Sequence, residues 1–235
     1  MTKKNKGKKE QVKNMFNDIA PKYDLLNHVL SMGIDILWRK KVRRLLAPIK
    51  PKRILDIATG TGDLAIELAK LNPDEIIGAD IAVDMLKIGE EKVKSKNLSN
   101  VIKMESGDSE NLRFDNDYFD AVTVAFGVRN YENLLEGLKE MNRVMRKNGL
   151  VAILEFSKPH SFPFKNIYNF YFKNILPGVG KLVSKNDEAY TYLPESVQKF
   201  PENEDFMQVM AQAGYKNITQ KRLTFGIATL YSGTK

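Results

Sequence analysis

The sequence predicts an α/β protein: a mostly parallel sheet with helices on both faces. Three observations predict it. Short apolar, β-branched runs alternate with stretches whose apolar residues recur every three to four positions. The first such run ends in the glycine-rich turn Thr59-Gly60-Thr61-Gly62-Asp63, which suits a strand-to-helix corner approached by a ligand. Two further strand-like runs follow one another at the C-terminus and predict an antiparallel hairpin.

Taken in order, Ile34, Leu37, Trp38, Val42, Leu45 and Leu46 keep a helical period that Pro48 and Pro51 close. Arg53 to Ala58 reads as a buried strand, Leu64 to Lys70 as a helix, and Ile76 to Asp80 as the second strand. Val83 to Lys94 fits a helix, and Val101 to Glu105 and Asp120 to Ala125 fit strands. Leu134, Leu135, Leu138, Met141 and Met145 mark a helix before a fifth strand, Gly149 to Glu155. Phe206, Val209, Met210 and Ala213 form a helix that Gly214 ends, and Tyr215 to Leu223 and Thr224 to Tyr231 make the hairpin. The total is seven strands.

One aromatic stretch stands outside this scheme. From Phe162 to Pro177, residues Phe164, Ile167, Tyr168, Tyr171, Phe172 and Ile175 share one helical face. It reads either as a core helix or as a cap over a large apolar substrate, with Phe170 off the stripe and facing that substrate.

Hydrophobic residues are 43% of the 235 and charged residues 28%, a globular balance that excludes wholesale disorder. The net charge is +8, and the first thirteen residues hold six lysines against one glutamate. Residues 1–13 are therefore expected to be a basic, disordered tail, and residues 14–235 one nearly neutral domain. Cysteine is absent and only His28 and His160 are present, which excludes a disulfide framework, a thiolate zinc site and a histidine-rich metal site. No signal peptide and no apolar run of membrane-spanning length is visible, so the expected location is cytoplasmic.

The carboxylates choose between ligands. Asp56, Asp63, Asp80 and Asp108 all fall at or just past strand ends, where open α/β sheets bind their ligands. A pyrophosphate would be repelled there, which disfavours a dinucleotide. A ligand carrying a sulfonium and an ammonium would be attracted. Asp80 is placed to accept from two ribose hydroxyls, and Asp108 and Ser109 to meet an adenine edge. The expected ligand is S-adenosylmethionine (AdoMet), with Asp56, Gly60, Thr61, Gly62, Asp80, Asp108 and Ser109 as its site. An ordinary glycine turn with helix-capping aspartates is the alternative.

Five motifs extend this reading. Tyr23-Asp24-x-x-Asn27-x-x-Leu30-Ser31-x-x-x-Asp35-x-x-Trp38 opens the chain, followed by Phe126-Gly127-Val128-Arg129-Asn130. Arg143-Val144-x-x-x-x-Gly149-x-x-x-x-Leu154-Glu155-x-Ser157 comes next. Tyr192-Leu193-Pro194-Glu195-Ser196 and Leu223-Thr224-Phe225-Gly226-Ile227-Ala228 close the set. With them the chain, from about Phe16 to Lys235, resembles the ubiquinone/menaquinone biosynthesis C-methyltransferases, a class I AdoMet-dependent family of Rossmann-like fold. It departs at Asp35 and Asn148, where that family usually has His and Gly, and at Leu26 and Ala125, where Met and Ser are common.

The resemblance implies AdoMet contacts at Thr61, Asp80, Asp108 and Ser109, a helical cap over residues 14–48 and a substrate-side insertion over residues 160–200. It implies methylation of a ring carbon on a prenylated quinol. Demethylmenaquinol is favoured and a benzoquinol precursor of ubiquinone is the alternative. Carbon alkylation needs an electron-rich ring, hence the quinol or its anion. Arg129, a fixed positive charge and a poor proton acceptor, is the expected stabiliser of that anion, with Asn130 as a second donor. His28 is the candidate base, although a capping role competes with catalysis there. Tyr23, Phe170, Tyr190 and Tyr192 are the candidate substrate contacts. No metal is required. Another small molecule or RNA is a further alternative, but charge is not spread over the body, which disfavours nucleic acid. The lysine tail and the aromatic helix suggest peripheral contact with an anionic membrane, at its inner face. A homodimer is an open expectation.

Overall fold

The computed structural model describes residues 7–170, 174 and 188–235. Two helices open the chain, α1 (Lys8–Leu30) and α2 (Ile34–Leu46). Strand and helix then alternate: β1 (Arg53–Ile57), α3 (Asp63–Leu68), β2 (Glu75–Asp80), α4 (Val83–Ser95), β3 (Ile102–Ser106), β4 (Phe119–Ala125), α5 (Leu134–Val144) and β5 (Met145–Phe156). Helices α6 (Phe164–Phe170), α7 (Glu188–Lys199) and α8 (Glu204–Gln212) precede β6 (Lys216–Leu223) and β7 (Ala228–Thr234).

The seven strands lie in the order β3-β2-β1-β4-β5-β7-β6. The first five are parallel, and β7 runs antiparallel between β5 and β6. The order turns back between β1 and β4, so the crevice beyond those two strand ends is the switch point where such sheets bind ligands.

Alternation along the strands divides the core. Leu55, Ile57, Ile77, Val122, Val124, Val151 and Ile153 face α5 and α8, against Leu138, Met141, Phe206 and Met210. Their neighbours Ile54, Ile76, Ala121, Ala152 and Leu154 face the other way, against α2 and α3 through Trp38, Val42, Leu46, Leu64 and Leu68. Both faces are covered, so the central strands read as continuous apolar runs. Ile54 and Leu138 have no exposure, and truncating either to Ala would cost about 2–5 kcal/mol.

Three boundaries differ from expectation. Residues 1–13 were expected to be a disordered tail, yet α1 begins at Lys8. Its first turn is docked: Lys8 Nζ donates to the carbonyls of Arg129 and Tyr131, and Lys9 Nζ lies 2.7 Å from Asp108. Met145 opens β5 rather than closing α5, because it pairs with Phe119. The last strand starts at Ala228, because Thr224 and Phe225 take left-handed backbone (φ 46° and 58°) in a short turn. Trp38 Nε1 holds that turn through a 2.8 Å bond to Thr224 Oγ1.

Candidate active site

The site begins at the corner after β1. The chain passes through Gly60 (φ 56°) and Gly62 (φ 80°) before entering α3 at Asp63. Glycine adopts these left-handed angles without the clash a Cβ brings. Two residues nearby adopt them without glycine: Ala58 (φ 52°), just past β1, and Phe126 (φ 60°), just past β4. Each such residue costs on the order of 1–3 kcal/mol, and such strain concentrates at binding sites. The sheet holds both in place, since Thr59 N donates to Ala79 O at 3.1 Å and Phe126 N to Leu154 O at 2.7 Å.

Around this corner the carboxylates divide into two kinds. Asp63 is paired with Lys92 and lies 3.3 Å from Arg39. Asp24, from α1, accepts from Thr61 Oγ1 at 2.5 Å and from Lys92 Nζ at 2.8 Å. Asp108 is paired with Lys9. These charges are already balanced. Asp56 and Asp80 have no cationic partner among the described residues. Asp56 is buried, and its close side-chain donors are hydroxyls, Thr59 at 2.6 Å and Thr123 at 2.7 Å. Burial is the chief reason its carboxyl is pushed up to about 6, and the negative Asp80 adds to the rise. Asp80 accepts from Gly60 N and Ala82 N, each at 2.8 Å, and burial raises it as well. Two adjacent carboxylates without a cation are a receptor for positive charge.

Two adjoining cavities open here. The smaller, about 70 Å³, is lined by Gly60, Asp80, Asp108, Ser109 and Asn130. The larger, about 280 Å³, is lined by Asp56, Thr61 and Arg129 and by an apolar wall including Ile19, Met32, Trp38, Phe156, Phe164 and Ile227. Phe16, Tyr23, Ala58, Ala125 and Phe126 line both. Ala125, where a hydroxyl is common in the resembled family, thus stands at their junction.

Arg129 sits in the wall of the larger cavity with 6% of its side chain exposed. Its Nη1 donates to Glu155 Oε1 at 2.9 Å and to the carbonyl of Phe126. Its Nε donates to Ser196 Oγ at 3.3 Å, and its guanidinium lies 5.4 Å from the Phe156 ring centre. Beside it, Asn130 Oδ1 accepts from Tyr192 OH at 2.9 Å.

The fold therefore brings Asp56, Gly60, Thr61, Asp80, Asp108, Ser109, Arg129, Asn130, Tyr23 and Tyr192 to one crevice, with Gly62 in the adjacent turn. His28 and Phe170 are placed differently. The His28 ring does not line either cavity. It stands behind the wall, with Nδ1 2.9 Å from Asp35 and Nε2 3.7 Å from Asp63. Arg39 binds that same Asp35 at 2.6 Å and Asp63 at 3.3 Å, so these two carboxylates already hold a cation. Phe170 is 61% exposed, and Phe164 and Tyr168 of the same helix line the cavity instead. The helix is oriented by Phe164, which stacks on Phe225 with centroids 3.7 Å apart. Tyr190 falls within the backbone of α7, and its side chain lies outside the described residues, as does most of the aromatic stretch beyond Phe170.

Sequence reasoning assigned no role to Glu155, Arg39 or Lys92. The signal for Glu155 was a charged residue at the end of an otherwise apolar strand. It is wholly buried, and only a buried partner permits that.

The parallel sheet with its antiparallel last pair, and adjacent carboxylates at the strand ends, define a class I AdoMet-dependent methyltransferase. Solved structures agree on the fold. A SAM-dependent methyltransferase from Thermotoga maritima superposes with a TM-score of 0.65 at 18% identity, covering 94% of this chain and 99% of the other. One from Methanococcus maripaludis gives 0.63 at 18% identity, covering 100% and 97%. The model of the ubiE/COQ5 methyltransferase family matches residues 3–235, and the chain belongs to that family. It is 48% identical to a demethylmenaquinone methyltransferase of Bacteroides fragilis, over 98% of this chain and 95% of the relative. It is 44% identical to a ubiquinone/menaquinone biosynthesis C-methyltransferase, UbiE, of Geobacter sulfurreducens, over 97% and 90%.

Proposed function

We propose that this enzyme methylates a ring carbon of demethylmenaquinol, giving menaquinol. One observation carries the reading: a mainly apolar cavity, with Arg129 and Asp56 in its wall, adjoins a smaller one lined by Asp80 and Asp108, and neither Asp56 nor Asp80 is paired with a cation among the described residues. The names of the relatives supply the substrate class. A benzoquinol precursor of ubiquinone is the second reading, favoured by the broader name carried by the Geobacter relative.

Residues of the chain divide the work. AdoMet supplies an electrophilic methyl group and, with it, positive charge. Asp56 and Asp80 attract that charge, while Asp108 and Ser109 line the place for the base. The apolar wall takes the ring and the start of the prenyl chain and excludes water from the reacting carbon. Arg129 stabilises the oxyanion of the ionising quinol as a fixed donor in the cavity wall. With a pKa above about 12 it does not take up the proton. Asn130, oriented by Tyr192, adds a second donor through its amide nitrogen. Tyr23 closes the junction of the two cavities. His28 acts, on this reading, through Asp35 and Asp63 rather than on the quinol.

Access from a membrane follows from the exposed apolar residues Met32, Leu37, Phe162 and Phe225. Met32 lines the cavity, and Phe225 stacks on Phe164, which lines it too. No helix among the described residues is long and apolar enough to cross a bilayer. Peripheral contact is the mode this supports.

The test is transfer of labelled methyl from AdoMet to a short-chain demethylmenaquinone, with and without reductant, beside Arg129→Ala. Label in menaquinone under reduction only, lost in the variant, supports the reading. Label absent while AdoMet binds excludes this substrate, and the benzoquinol is then tried.

A further inference from the structure

Glu155 makes two contacts with the same residue. Its Oε1 accepts from the Arg129 guanidinium at 2.9 Å and its Oε2 from the Arg129 backbone N–H at 3.3 Å. Oε1 also accepts from Phe156 N at 2.9 Å, so the carboxylate itself is held. With Nη1 and Nε engaged by Glu155, Phe126 and Ser196, Nη2 is the guanidinium nitrogen without a protein acceptor among the described residues. Arg129 lines the cavity and Glu155, with no exposed surface, does not.

We infer that Glu155 is a positioning residue that sets both the direction and the effective charge of Arg129. The inference rests on the oxyanion role proposed for that arginine. Held this way, the guanidinium presents Nη2 to the quinol as one half of a neutral pair. A lone arginine within about 4–6 Å would lower the hydroxyl's pKa by roughly one to three units. The carboxylate behind it cancels part of that field.

The other groups facing the pair are four tyrosines, a lysine and an aspartate. Tyr23 of α1, Tyr168 of α6, Tyr192 of α7 and Tyr131 face it, and burial raises all four, so they stay neutral near pH 7. Lys8 bonds to the Arg129 carbonyl and adds positive charge. Asp56 shares the cavity.

The test compares Glu155→Gln, which keeps an acceptor without the charge, with Glu155→Asp, which keeps the charge with a shorter reach. Two readouts are taken on the full chain. The first is the pH dependence of methyl transfer. The second is the titration, by absorbance, of bound 4-methoxy-1-naphthol, a quinol analogue with one hydroxyl blocked. In Glu155→Gln the acid limb and the naphthol pKa should both fall by about one unit or more, a tenfold rise in ionised fraction at fixed pH. In Glu155→Asp the rate should drop while the limb stays at its wild-type position. In wild type the bound naphthol should titrate within about one unit of its free value, a result that needs no folded variant. Superimposable limbs in Glu155→Gln and wild type, a wild-type naphthol shifted down by two units or more, or no naphthol binding would each overturn the inference. The naphthol titration stands even where no quinol is methylated, so the two readings fail separately.

Discussion

Replacing Asp56 with Asn should stabilise the unliganded protein while weakening its hold on AdoMet. The unfolded carboxyl titrates at 3.8 and the folded one at about 6. Between those values the folded protein keeps a proton that the unfolded chain has lost. Stability therefore falls as pH rises through this window, and the full cost is present above pH 6. The difference of about two units corresponds to about 3 kcal/mol. Asparagine removes the ionisation, and the hydroxyls of Thr59 and Thr123 can turn to meet its amide, as they meet the carboxylate at 2.6 and 2.7 Å. For a chain of this length about 3 kcal/mol is roughly 6–12 °C in Tm. Thermal melts of both proteins at pH 4, 5, 6 and 7 should coincide at pH 4, separate up to pH 6 and then run parallel. Saturating AdoMet, about 100 times its Kd, should add about 2.7 kcal/mol to wild type and much less to the variant. An Asp56→Asn variant that melts at or below wild type at pH 7 would show that Asp56 carries no ionisation cost, and the cation-receptor argument would fall with it.

Two further outcomes follow from contacts at the same site. Arg129→Lys keeps the charge but loses the fork that reaches Glu155, Ser196 and Phe126 together, so kcat should fall about 10- to 100-fold with AdoMet affinity unchanged; an unchanged kcat would reduce Arg129 to a point charge. Lys9→Met releases Asp108 from a half-exposed ion pair worth up to about 1 kcal/mol, so calorimetry should show AdoMet binding up to about fivefold tighter; weaker binding would mean that Lys9 helps hold the ligand.

How much of this was legible in the sequence depends on where each residue's partner lies. The central strands were legible because burial on both faces makes them uninterrupted β-branched runs, as in Ala121 to Val124. The ligand-bearing edge was legible because a parallel sheet puts its strand ends on one side, which is enough to gather Asp56, Asp80 and Asp108. The start of α1 was not, because local sequence there is a lysine run. Lys8 is 121 residues from the carbonyl of Arg129 to which it bonds, and no periodicity reports that. The exposure of Phe170 has a similar cause. A seven-residue helix has no rotation of its own, and Phe225, on the far side of the sequence, sets it by stacking on Phe164.

The acidic rim was visible as a set, but its division into two kinds was not. Four carboxylates near one strand edge look equivalent on a line of text. In three dimensions Lys92 and Arg39 come from other helices to meet Asp63, and Lys9 arrives from the N-terminus to meet Asp108. What remains is Asp56 and Asp80, satisfied by hydroxyls and backbone N–H groups, which complete hydrogen bonds without balancing charge. Among the described residues, the protein thus leaves uncompensated the two carboxylates of this rim whose ionisation burial disfavours. A cation entering between them recovers that cost as binding energy, and a neutral ligand of the same shape cannot. Selectivity for AdoMet over its uncharged-sulfur product, S-adenosylhomocysteine, should therefore depend on how much of that field reaches the sulfur. Asp56→Asn, measured against both ligands, separates the two contributions: loss of affinity for both places Asp56 at the shared ammonium, and loss for AdoMet alone places it at the sulfonium.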